Sequence, residues 1–145
     1  MGRQKVIKCW PEIGKAAVQP LVRFLEGDTK ALVESPMDTI LPYDQWPDDV
    51  PSSYVRATDE EWNALVHEGY KRGLFQFCPE EEVLTGPTGE KILNGAGAVP
   101  KEKDGQVLQR FISIFCPLNA VSRKIEGQEG TLPYVGQVCL LRSEE

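Results

Sequence analysis

Apolar and polar positions follow two different rhythms along this chain, and each rhythm marks an element. Between Thr58 and Gly73 the residues Trp62, Leu65, Val66, Gly69 and Tyr70 fall at i, i+3, i+4, i+7 and i+8, a single apolar face of a helix. Thr58 followed by Asp59, Glu60 and Glu61 is a capping box: the hydroxyl and the third-position carboxylate each serve an otherwise orphaned amide, and the acids sit at the positive helix end. Lys71 and Arg72 suit the opposite end, and Gly73 stops the helix.

From Val107 to Phe115 the rhythm changes to a period of two, placing Arg110, Ile112 and Ile114 on one face of a strand and Phe111, Ser113 and Phe115 on the other. Ala96 to Pro100 reads as its partner, with Lys103-Asp104-Gly105 as the hairpin turn. The hairpin brings Lys101 and Arg110 towards the same end of a ribbon. Just before it, Asn94-Gly95-Ala96-Gly97-Ala98 sets small residues where a backbone must pass close to another strand or to a ligand.

The remaining pattern is less regular. Ile13 to Glu26 contains good helix formers and predicts a helix ending at Gly27, beginning or kinking at Pro20, with Leu21, Val22, Phe24 and Leu25 as a short apolar turn. Residues 35 to 53 hold Pro36, Pro42, Pro47 and Pro51 with four aspartates, which predicts an extended surface segment. Its Met37, Ile40, Leu41, Tyr43, Trp46 and Val50 predict that it lies pinned against the body. Leu74 to Phe77 is a short apolar run, Glu80 to Glu82 a solvated turn or helix start, Thr85 to Gly89 a turn cluster, and Lys91 to Leu93 a brief strand.

At 145 residues, 41% of them hydrophobic, the chain has room for one globular domain with a core. We divide it into 1–57, an N-terminal helix and Pro/Asp-rich segment, and 58–145, carrying the capped helix and hairpin. No apolar run spans a bilayer and the first residues lack the apolar core of a signal peptide, so the expectation is an intracellular protein, cytoplasmic or nuclear, not secreted and with no membrane partner. Cys9, Cys78, Cys116 and Cys139 are scattered without a CxxC pair, which predicts free, partly buried thiols and neither a zinc nor a redox motif. His67 falls off the apolar stripe and reads as a surface residue.

The net charge of −6 is unevenly spread. Residues 1 to 30 carry six Lys/Arg against three acids (+3), residues 31 to 90 three against thirteen (−10), and residues 91 to 145 seven against six (+1). Acidity is concentrated away from the hairpin, as in a protein with one phosphate-facing surface and one acidic face. On that hairpin Lys101 offers a point charge and Arg110 a planar fork, a pair suited to a polyphosphate and a stacked base. Neither a P-loop nor a dinucleotide-binding glycine pattern is present. Ion pairing of these cations with the acidic middle is the competing reading.

The run Arg110-Phe-Ile-Ser-Ile-Phe-Cys-Pro-Leu-Asn119, preceded by a Gly/Ala strand with Lys101 and a variable turn, resembles the fingers hairpin of reverse transcriptases. NGAGAVPK, RFISIFCPLNAVSRKIEGQEGTLPYVGQ, LPYDQWPDDVP and EEWNALVHEGYKRGLF together resemble the reverse-transcriptase-like proteins of dinoflagellate-type genomes over about residues 30 to 141. The resemblance implies an α+β fold comprising the fingers and the start of the palm, with the capped helix packed near the antiparallel hairpin. It implies that Lys101 contacts the triphosphate of an incoming dNTP, with Lys103 as a substitute, and that Arg110 packs on the base and reaches the α-phosphate. Asn94, Gly95 and Gly97 would support the site, and Asn119 would close the strand at the fingers–palm junction. Ile114 stands where many members have Asp, which removes a usual partner of the neighbouring cations.

The implied partners are an RNA/DNA template–primer, dNTPs and the remainder of the palm. Mg²⁺ would serve only the complete polymerase, because the catalytic palm aspartates and the YxDD-like motif are absent from these residues and Glu144 and Glu145 do not replace them. The expectation is therefore a nucleotidyltransferase-type fragment with no catalytic or metal-binding residue of its own, inactive alone. The alternative is a small acidic α+β interaction module that docks a protein partner through residues 35 to 53.

Overall fold

The computed structural model describes residues 1–17 and 19–124. Helices α1 (Arg3–Ile7), α2 (Gly27–Glu34), α3 (Asp59–Lys71) and α4 (Cys116–Ala120) accompany two strands, β1 (Gly95–Lys103) and β2 (Gln106–Ile114), with short 3₁₀ turns between them, an α+β arrangement. The strands form an antiparallel ribbon in continuous register from Gly95 opposite Ile114 to Lys103 opposite Gln106. The two-residue turn has Asp104 at φ 51° and Gly105 at φ 71°, the left-handed pair that matches the twist of the flanking strands.

The small residues of β1 make room for a third segment. Val55 bridges Ala96 in parallel, with Arg56 N donating to Ala96 O at 2.8 Å. A Cβ on Gly95 would collide with Ser53 Oγ and lie 2.6 Å from Tyr54 O, so glycine is required there by another strand and not by a ligand.

α3 carries the full capping box: Glu61 N donates to Thr58 Oγ1 at 3.2 Å and the Glu61 side chain accepts from Thr58 N. Its apolar face buries Leu65 and Gly69, with Trp62 and Val66 half-buried, against an aromatic cluster. Phe111 of β2 stacks on Trp62 at 6.4 Å and meets Phe75 at 5.5 Å and Trp10 at 6.1 Å, while Trp10 meets Phe75 edge-on at 5.4 Å. The core is completed by Val6, Ala96, Leu108 and Val121. Because α1 packs on both α3 and β2, residues 1–57 share the core of the segment that follows.

Three expectations are corrected. The helix expected over Ile13–Glu26 does not form among the described residues before Pro20, where Gly14 turns at φ 78° and Pro20 supplies no amide and disfavours helical backbone before it; the short apolar turn expected after Pro20 is present as a 3₁₀ turn at Leu21–Phe24. Gly27, at φ 58°, opens α2 and does not close a helix. Asn119 does not end a strand: β2 stops at Ile114, and Pro117, well suited to a first helical turn, belongs to α4, where Asn119 N donates to Phe115 O at 2.8 Å.

Residues 35 to 53 are pinned as expected but are not extended throughout, since they contain 3₁₀ turns at Pro36–Thr39 and Tyr43–Gln45. Leu41 N donates to Val121 O at 2.8 Å, Arg123 N to Thr39 O at 2.7 Å, and Tyr43 Oη to Thr85 O at 3.0 Å. The Lys91–Leu93 strand is reduced to one bridge, Thr85 to Lys91. Among the described residues no helix is long and apolar enough to cross a membrane.

Candidate functional site

In the register of the hairpin Lys101 lies opposite Leu108 and Arg110 opposite Val99, so the two cations are diagonal neighbours on one face. Diagonal positions lie about 7–8 Å apart, within reach of one phosphate chain. Both residues border one groove of about 360 Å³, at the lower end of the range for ligand clefts, while strand alternation puts the Phe111 ring on the ribbon face opposite the Arg110 side chain. Trp10, Phe75 and Phe111 supply its aromatic wall, and Cys9, Pro11 and Leu74 its remainder.

Each wall element is held by a local reason. Phe75 enters because the chain reverses after α3, with Leu74 N and Phe75 N both donating to Gly69 O at 2.9 and 3.3 Å. Trp10 is carried in by the segment after α1, fixed where Arg72 Nη1 donates to Pro11 O at 2.7 Å and Arg72 Nε pairs with Glu68 at 2.8 Å.

Neither Lys101 nor Arg110 forms an ion pair among the described residues, where the pairs are Lys30–Glu34, Arg72–Glu68 and Lys91–Glu80. The competing reading, neutralisation by the acidic middle of the chain, therefore finds no ion pair at the groove among the described residues. Arg110 is exposed, however, so hydration satisfies its charge and the cost of a buried guanidinium gives no reason for a ligand. What the groove offers instead is two cations, unpaired among the described residues, beside aromatic side chains.

Lys103 lies opposite Gln106 beside the turn, exposed and outside the groove lining. Asn94, Gly95, Gly97 and Asn119 cluster at the other end of the ribbon. Asn94 Oδ1 accepts from Leu118 N at 3.3 Å, and Gly97 lies against the Arg56 side chain and Ile112. Seven residues of strand put Asn94 about 23 Å from Lys101, so this group shapes the hairpin base and does not touch the groove.

The sequence reading did not single out Trp10. Its partners are distant in the chain, and a lone Trp between a short helix and a Pro carries no periodic signal. Phe75 lay in the noted apolar run, but nothing local assigned that run a surface.

The groove holds two cations and no carboxylate, a donor set that does not fit Mg²⁺. Among the described residues no group of three or more His, Cys, Asp or Glu is arranged to hold a metal ion. His67 is exposed against Phe77, and Glu80, Glu81 and Glu82 form an exposed turn with Glu80 paired to Lys91. Cys9 is a half-buried free thiol, whereas Cys78 and Cys116 are free and exposed, not partly buried as expected; Cys139, the segment after Lys124 expected to begin a palm, Glu144 and Glu145 lie outside the described residues.

A larger cavity, of about 660 Å³, lies between α1 and the start of α3, but there Arg3 and Lys5 face Glu60 and Glu61, so its charges oppose one another. Comparisons with protein-family models, with curated proteins and with solved structures return no match to this chain.

Proposed function

We propose that the hairpin groove binds nucleotide phosphates and bases, and that the chain is a fingers-like part of a reverse-transcriptase-like protein, contributing dNTP and template contacts. One observation supports this reading above the others: Lys101 and Arg110, separated by eight intervening residues, line a single groove walled by Trp10, Phe75 and Phe111. In it the Lys101 ammonium takes a phosphate oxygen. The Arg110 guanidinium bridges a second phosphate through its planar fork, while the base lies on the aromatic wall. Lys103, beside the turn, is a further phosphate contact for a longer strand. Nucleotidyl transfer itself would belong to acidic residues elsewhere in a complete polymerase.

The test is anisotropy of a labelled single-stranded oligonucleotide over a salt series. Two phosphate contacts predict a log–log salt slope of about −1.4, and Lys101→Ala with Arg110→Ala should abolish most of that slope. Unchanged affinity and slope in the double variant would sink the reading.

A further inference from the structure

A second concave site lies in the acidic part of the chain, on the Pro-rich segment and the turn at Pro87–Glu90. Tyr43 and Trp46 meet at 5.1 Å with their planes at 81°, forming two walls of a cleft of about 410 Å³. Both rings are fixed by their polar edges: Tyr43 Oη donates to Thr85 O at 3.0 Å and Trp46 Nε1 to Leu41 O at 2.8 Å. Pro47, Val50 and Pro87 add apolar surface, and Asp48, Asp49 and Glu90 supply carboxylates; among the described residues no lysine or arginine lines the cleft. Glu90 is held in place by Thr88, whose amide donates at 3.1 Å and whose hydroxyl also donates.

We propose that this cleft is a docking site for a lysine side chain of a basic peptide segment on a partner protein. The rings offer negative π-faces to a cation, the proline and valine surfaces match an aliphatic stem, and the carboxylates accept N–H bonds. A quaternary ammonium has no N–H to give those carboxylates, so a primary ammonium fits better. A peptide fits better than a free amine because the cleft sits in a segment, residues 31 to 90, that carries thirteen acids against three basic residues and attracts a polybasic chain as a whole. The proposal is independent of the hairpin groove, which has the opposite charge.

The experiment measures binding of a fluorescein-labelled alternating glycine–lysine peptide to the full chain, beside its acetyl-lysine counterpart and free n-butylammonium as competitor. Expected are weaker binding of the acetylated peptide, about tenfold loss in Asp48→Asn with Asp49→Asn, and a similar loss in Trp46→Leu. Circular dichroism of each variant confirms folding, and the two Asp→Asn changes are exposed and isosteric, so they test the site even if Trp46→Leu unfolds. Lys101→Ala with Arg110→Ala should leave this binding unchanged. Equal binding of the acetylated peptide, unchanged affinity in the Asp→Asn variant, or n-butylammonium binding as tightly as the peptide would each overturn the proposal.

Discussion

Replacing Gly69 by Ala sets two effects of opposite sign against each other. On an exposed helix the change would add stability, since Ala exceeds Gly by about 1 kcal/mol in helix propensity. Here the new methyl would collide with the Phe75 ring, lying 2.7 Å from Cε2 and 3.0 Å from Cγ, with Cδ2 nearer still. Phe75 has little freedom to withdraw. It is packed at 5.4 Å from Trp10 and 5.5 Å from Phe111, and its backbone amide is tied to Gly69 O.

Overpacking of this kind costs about 1–3 kcal/mol, and a displaced ring also forfeits part of two aromatic pairs worth about 0.5–1.5 kcal/mol each. The clash therefore wins, and Gly69→Ala should destabilise the chain by about 1–2 kcal/mol net. Urea unfolding followed by circular dichroism reads this as a lower midpoint at unchanged slope. In a Phe75→Leu background the penalty should largely vanish, which ties it to the ring. A gain in midpoint for Gly69→Ala in the wild-type background would refute the reasoning, because propensity alone would then have decided the outcome. Ligand binding at the groove should fall with the same substitution, since Phe75 is one of its walls.

Other substitutions probe separate features. Gly105→Val forces a β-branched residue to φ 71° and should cost about 1–2 kcal/mol in the same unfolding assay, with the hairpin amides losing hydrogen-exchange protection first. Thr58→Ala removes the α3 cap and should cost about 1 kcal/mol in urea unfolding, whereas Thr58→Ser should cost less. The Thr88 hydroxyl donating to Glu90 holds that carboxyl below the ordinary carboxylate range, so its contribution is present above the unfolded-state pKa and is lost as pH falls through the lower folded value. Glu90→Gln should accordingly flatten the acid limb of the stability–pH curve, and an identical limb in both proteins would rule this out.

Elements with a complete local specification were legible in the sequence. The α3 helix has its stripe, its capping box and its terminal glycine within one stretch, and the ribbon is set by alternation plus Asp104-Gly105, whose backbone demands admit few other residues. Within residues 13 to 26 the missing amide of Pro20 correctly marks the short turn after it, but the helix formers before it carry no sign that Gly14 turns the chain and that Pro20 restricts Gln19. The five-residue α1 is too short to show a period and exists because Val6 is buried by partners far along the chain. The groove was half legible: alternation and register place Lys101 and Arg110 together, but its wall is assembled from Trp10 and Phe75, whose meeting is tertiary. The glycines of β1 announced a close approach correctly, and only the fold reveals that the visitor is the chain itself at Ser53–Arg56.

The hydrogen bond from Gly2 N to Gln109 Oε1, at 2.6 Å, spans 107 positions in sequence. At ribosomal speeds of about 5–20 residues per second, the acceptor follows the donor by about 5–20 s. During that interval Trp10 and then Phe75 are made but have no β2 to rest on. The first helix of the chain is thus among the last to be secured. A pause or truncation before Gln109 would leave Val6 and Trp10 without their β2 partners and exposed to aggregation or to chaperones.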